Sequence, residues 1–231
     1  MSSTMTHEQI ARMLDLSCVQ ANSTLEEVRQ CVATAKKYNI LAIFVLPAHI
    51  ETMIEEIGDA PIIPAATVGF PSGGSSTRIK VAEAREQLAL GCREFDMVNN
   101  IAWLKAGKDK LYQQDIMAVK EAIEGRPLKV ILECHHLTNQ EIVRACHLAV
   151  ECGVDFVKTG TGWAPTGATL ENIALMKHSV AGRCQVKAAG GVRDLATLIA
   201  MHAQGASRFG VGVRTAEALF QTSAPSVGEG Y

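Results

Sequence analysis

A chain of 231 residues, 48% hydrophobic and 20% charged, is long enough for one large α/β domain with a substantial core. Its formal net charge is −2, with Lys and Arg spread along its length, which excludes the concentrated basic surface that nucleic acid or an anionic membrane needs. No run approaches the roughly 18 apolar residues of a membrane span, the start "MSSTMTHEQIARMLDLS" lacks a signal peptide's order, and the seven cysteines form no CxxC pair, so the expected compartment is a reducing cytoplasm.

In chain order, short β-rich apolar runs alternate with longer segments of helical period. The candidate strands are "LDLS" (14–17), "LAIFVLP" (41–47), "IPAATVGF" (63–70), "REFDMV" (93–98), "LKVILEC" (128–134), "VDFVKT" (154–159), "CQVKAAG" (184–190) and "SRFGVG" (207–212). The clearest helices between them are 24–38, 76–91, 139–153 and 194–205; Ser23 or Thr24 can cap the first, with Glu26 and Glu27 in its first turn. Alternating β and α elements imply a parallel sheet covered by helices. Eight such units in about this length predict a single-domain (β/α)8 TIM barrel. No GxGxxG opens the first helix, which argues against a doubly wound dinucleotide fold. We place the barrel at 1–220 and a flexible tail, "TSAPSVGEGY" preceded by Gln221, at 221–231.

Barrel active sites lie at the C-terminal ends of the strands, where the polar residues are Asp15, Asp96, Glu133, Lys158 and Lys187. Lys158 and Lys187 close consecutive strands, which sit ~4.8 Å apart. Two inward lysines at one depth repel each other, and burial disfavours both charges, so one can be the neutral amine that attacks a carbonyl. A solvent-facing or salt-bridged lysine is the competing reading for either alone. In "REFDMV", Phe95 and Met97 share one face, so Asp96 takes the other and reaches the lumen if the apolar pair meets the helices. Asp15 is a similar inward carboxylate. Gly190 and Gly191 follow the seventh strand, Gly210 and Gly212 the eighth, where barrels often bind phosphate on backbone N–H groups. "ECHHL" (133–137) shows no zinc spacing, and His135 and His136 on a strand would face opposite ways, so no metal site is expected.

"TVGFPSGGSSTRIKVAEA", "EFDMVNNIAWLKAG", "DFVKTGTGW" and "VKAAGGVR", in this order over residues 9 to 215, resemble the deoxyribose-phosphate aldolases. That resemblance implies a class I aldolase with no metal or cofactor, joining acetaldehyde and glyceraldehyde 3-phosphate reversibly into 2-deoxyribose 5-phosphate. It implies that Lys158 forms the Schiff base, that Lys187 keeps it unprotonated and that Asp96 is the acid/base partner. Gly160, Thr161, Gly190, Gly191 and Gly210 fall in its substrate and phosphate loops, Asp15 and Ser17 near the substrate hydroxyls, and Tyr231 where some members carry a C-terminal tyrosine that assists proton transfer. The chain departs from the pattern at Phe44 and Leu46, at Gly160, and at Val211, Gly212 and Val213 in place of serines. Those departures leave open an aldolase for another, even unphosphorylated, sugar or aldehyde; a barrel that binds sugar phosphate without turnover is the further alternative. The expected partners are small molecules and a second copy in a homodimer.

Overall fold

The computed structural model of the chain describes residues 5–222. Eight parallel strands form one closed barrel: β1 (Leu14–Cys18), β2 (Ala42–Val45), β3 (Ile63–Val68), β4 (Glu94–Val98), β5 (Leu128–Ile131), β6 (Phe156–Lys158), β7 (Gln185–Ala189) and β8 (Ala206–Val211), with β8 pairing back onto β1. Around them run α1 (His7–Met13), α2 (Leu25–Tyr38), α3 (Ile50–Ile57), α4 (Thr77–Leu90), α5 (Ile101–Lys105), α6 (Asp109–Ala122), α7 (Asn139–Glu151), α8 (Leu170–Val180), α9 (Leu195–Ala203) and α10 (Val213–Thr222). The chain is a single-domain (β/α)8 TIM barrel, and each of the eight expected strands overlaps an observed one. The last helix runs to Thr222; residues 223–231, and with them Tyr231 and all but the first two residues of the expected tail, lie outside the described residues.

Local chemistry sets the helix starts. Thr24 Oγ1 accepts from the Glu27 N–H (3.2 Å) while Glu27 Oε2 accepts from the Thr24 N–H (2.7 Å), a reciprocal cap that opens α2. Thr138 and Glu141 repeat it at α7, and Asp194 caps α9 through the Thr197 N–H. Each strand then divides its side chains between two environments. On β4, Phe95 and Met97 join the apolar layer under the helices, together with Leu16, Ile43, Val68, Val130 and Val157, while Glu94 and Asp96 take the lumen.

The lumen itself is unequal. Its β2–β3 side is apolar, with Ala42, Phe44 and Ala65 packed with Val19; the rest carries the charged side chains, with the Phe156 ring against Lys129 and Arg208. Parallel pairing sets Lys158 opposite Lys187 in register, which brings the two lysines to one depth as expected.

One expectation is overturned. β5 stops at Ile131, and Glu133 adopts a left-handed backbone (φ 55°) that turns the chain into a 3-10 turn at Cys134–His136. His135 and His136 therefore do not alternate across a strand; their rings pack edge to face at 4.9 Å. The Glu133 carboxylate, which accepts from the Thr161 N–H at 3.1 Å, holds the turn in place.

Candidate active site

Asp96 sits at the centre of the charged lumen, fully buried. Its Oδ2 accepts from Lys158 Nζ and from Lys187 Nζ, both at 2.7 Å. Lys187 Nζ also lies 2.6 Å from Asp15 Oδ2, so β1, β4 and β7 meet at one ammonium and β6 joins them through Asp96. Below them Lys129 pairs with Glu94 and lies 3.5 Å from Asp96 Oδ1, and Arg208 binds Asp15 and Glu94. Protonating every base gives four cations (Lys129, Lys158, Lys187, Arg208) against three carboxylates (Asp15, Glu94, Asp96). One proton fewer balances the charges.

Buried charges persist only when paired, and the electrostatics follow from that. Burial pushes the Asp96 carboxyl up, but Lys158, Lys187 and Lys129 outweigh it and hold the group well below the usual carboxylate range. At Asp15 burial is again opposed by Lys187, Lys129 and Arg208, and the net shift is downward. Lys187 moves the other way: burial pushes its ammonium down, Asp15 and Asp96 push it up, Lys158 pushes it down, and burial prevails.

Above this network opens a cavity of about 260 Å³ at the C-terminal ends of the strands. Lys158 lines it, whereas Lys129 and Lys187 do not. Ser17, Thr161, Gly190 and Gly210 also line it, with Phe44, Thr67, Phe70, Val211 and Gly212. A larger cleft of about 660 Å³ near Arg12, Lys36, Tyr38 and Phe220 holds none of the lumen charges. Chemistry, not size, selects the smaller one.

The expected substrate residues thus divide. Asp15 lies beneath the cavity as a partner of Lys187 and Arg208. Gly160 stands behind the wall: a Cβ there would come within 2.7 Å of Glu133 Oε1, so the backbone must pass bare. Gly191 likewise faces Ala168 O, at 2.9 Å from a would-be Cβ, rather than the cavity. Trp163 donates its Nε1–H to Val19 O (2.9 Å) and packs edge to face on Phe70, tying the β6–α8 loop across the mouth.

Sequence reasoning missed Glu94, Lys129 and Arg208. The alternation on β4 and β5 was the available signal, since Glu94 shares a face with Asp96, and Lys129 is a cation inside an apolar strand. Cysteine chemistry finds no footing: all seven thiols are free and buried, and burial pushes each of them up, Cys92 and Cys134 to about 12. Among the described residues no three His, Cys, Asp or Glu converge as metal ligands, and no helix is long and apolar enough to cross a membrane.

Residues 5–222 match the model of the DeoC/LacD family of aldolases. The chain is 44% identical over 209 residues to a deoxyribose-phosphate aldolase of Klebsiella pneumoniae, covering 89% of this chain and 84% of that one. It is 41% identical over 211 residues to one of Bacillus cereus, covering 91% and 95%. Among solved structures, the aldolase QR15 superposes with a TM-score of 0.85 at 32% identity, over 90% of this chain and 93% of that one. A buried lysine pair on consecutive strands, a carboxylate shared between them and a match over nearly the whole described chain lead to one conclusion: this protein belongs to the DeoC/LacD family of aldolases.

Proposed function

We propose that the protein cleaves 2-deoxyribose 5-phosphate reversibly into acetaldehyde and glyceraldehyde 3-phosphate through an imine on Lys158. The observation that carries the reading is the placement of both lysine Nζ atoms 2.7 Å from one oxygen of Asp96, with only Lys158 of the lumen lysines lining the cavity. The names of the 40–44% identical relatives supply the substrate.

An imine requires a free-base amine. A neutral Lys158 beside charged Lys187, Lys129 and Arg208 would leave three cations facing three carboxylates, so one of the balanced arrangements of the lumen is the reactive one. The Lys158 amine adds to the C1 carbonyl, and loss of water gives the iminium. The C3 hydroxyl then gives up its proton, the C2–C3 bond breaks, and its electron pair passes into the iminium to leave an enamine. Glyceraldehyde 3-phosphate departs. Asp96 and Lys187, through a water, are the groups placed to carry that proton and to return one to C2. Hydrolysis of the acetaldehyde iminium restores Lys158.

Among the described residues, the cavity is lined by no cationic side chain besides Lys158. Phosphate would therefore rest on backbone N–H groups around Gly190, Gly210 and Gly212 and on the N-terminus of α10, which starts at Val213. The same observation supports a second reading, in which an unphosphorylated sugar or aldehyde is taken; turnover of deoxyribose 5-phosphate compared with deoxyribose separates the two. Tyr231 remains proposed as an assistant in proton transfer, and a homodimer remains the proposed assembly.

Borohydride reduction in the presence of acetaldehyde is expected to leave an ethyl group on the peptide carrying Lys158. No adduct, or an adduct on another lysine, overturns the assignment.

A further inference from the structure

Phe44 is one of two phenyl rings set among the lumen charges; the other, Phe156, lies by Lys129 and Arg208, whereas Phe44 stands by the lysines. It is 1% exposed, held between Ser17 of β1 and Ala65 of β3 in register. Its ring centroid lies 3.9 Å from Lys187 Nζ, 4.8 Å from Lys129 Nζ and 5.9 Å from Lys158 Nζ. Three lysines around one phenyl ring need an explanation, because the ring adds no hydrogen-bonding oxygen.

Counting donors supplies it. A Lys187 ammonium has three N–H groups. Asp96 Oδ2 takes one at 2.7 Å and Asp15 Oδ2 stands 2.6 Å away. Among the described residues no third oxygen accepts from it, and the face of the Phe44 ring lies over it instead. A ring face attracts a cation through its quadrupole, more strongly in a desolvated site than at a surface, and the attraction falls off steeply with distance. At 3.9 Å against 5.9 Å it favours charge on Lys187 over charge on Lys158.

We propose that Phe44 is a positioning residue that acts through Lys187: its ring face is the third partner of that ammonium and keeps the shared proton there rather than on Lys158. The inference rests on the imine reading above only for its catalytic consequence; the state of Lys187 can be read without any turnover. The charged groups facing Lys187 are Asp15 from β1, Asp96 from β4, Lys129 from β5, Lys158 from β6 and Arg208 from β8. The carboxylates hold its charge and the other cations oppose it. Because burial prevails in that balance, a modest contribution from the ring decides how readily the proton leaves.

The sign follows from which form the ring stabilises. Removing attraction for the ammonium lets Lys187 release its proton at lower pH, so the alkaline titration of Lys187 moves down. The expected movement is about 0.4 to 1.5 pH units for a full loss of the ring's attraction. Proton occupancy passes to Lys158, and imine formation at neutral pH falls roughly 2- to 30-fold.

The test replaces Phe44 with singly and then triply fluorinated phenylalanine, which drains the ring face of charge and nearly keeps its shape, alongside Phe44→Leu. In protein labelled with 15N-lysine, the Lys187 Nζ resonance is followed as pH rises, without substrate. A titration that moves down stepwise with fluorine count, and furthest with Phe44→Leu, is the expected result. An unmoved titration in the fluorinated proteins overturns the proposal, even if Phe44→Leu loses activity, because that loss would then be packing alone. Acetaldehyde trapping on Lys158 in the unmodified protein is run beside it: failure there sinks the imine reading, while the Lys187 titration still decides the role of Phe44.

Discussion

Asp96 owes its state to its neighbours rather than to its own chemistry. A carboxyl removed from water would ordinarily hold its proton; three lysines around this one keep it ionised. The same count of charges makes a prediction about Lys187. In Lys187→Met the balanced lumen becomes Lys129, Arg208 and a protonated Lys158 against the three carboxylates. Reductive trapping of acetaldehyde on Lys158 at neutral pH is then expected to fall by roughly tenfold or more, the effect of about 1.4 kcal/mol in proton affinity, and to recover as the pH is raised. Mass spectrometry of the trapped peptide, with folding checked by circular dichroism, reads this directly; undiminished trapping at neutral pH would remove Lys187 from the mechanism. Lys158, Lys187 and Asp96 were legible in the sequence because each ends or interrupts an apolar strand. Glu94 left its signal in the alternation with Asp96, but Arg208 left none, since its partner Asp15 stands 193 positions earlier in the chain.

Among the elements, α4 carries a buried charge that the chemistry does not use. Lys80 Nζ pairs with Asp115 Oδ2 of α6 at 2.6 Å and donates to Val98 O, the last residue of β4, at 3.0 Å; Thr77 Oγ1 donates to Asp115 Oδ1 at 2.8 Å. On the next turn Glu83 accepts from the Gly69 N–H at 2.7 Å. One helix thereby fixes both the end of the strand that bears Asp96 and the start of the loop that brings Phe70 to the cavity. Lys80→Met strands Asp115 as an unpaired buried carboxylate, and the expected cost is about 3–5 kcal/mol. Urea unfolding with an unchanged slope and a lowered midpoint would register it; a loss under about 1 kcal/mol would show that Asp115 finds another partner. The helix periodicity read from the sequence located α4 within a residue at each end, but it could not show that a lysine on it points inward, because that depends on where α6 packs.

For the molecule as a whole, the lumen makes stability depend on pH. Asp15 and Asp96 are held below their ordinary value of 3.8 in the folded state. As the pH falls, the unfolded chain takes up those protons first, so acid favours unfolding. Their contribution is fully present above the unfolded value and is expected to be lost progressively between about pH 5 and pH 1. A urea midpoint that declines over this range, with the steepest part below about pH 4, is the expected outcome; a midpoint flat down to pH 2 would mean that the lumen pairs add nothing net, as buried ion pairs sometimes do.

The alternation of eight apolar runs with helical segments determined the barrel, because period and order are properties of the chain itself. The same is true of the lysines at the ends of the sixth and seventh strands, and of the family resemblance carried by the motifs around them. Closure of the barrel decided the rest. It set β8 against β1, which gave Asp15 its arginine and Lys187 its second carboxylate. It turned Gly160 and Gly191 away from the cavity and put the ring of Phe44 beside Lys187. Those relations are distances between strands remote in sequence, and a distance of that kind exists only once the sheet has closed.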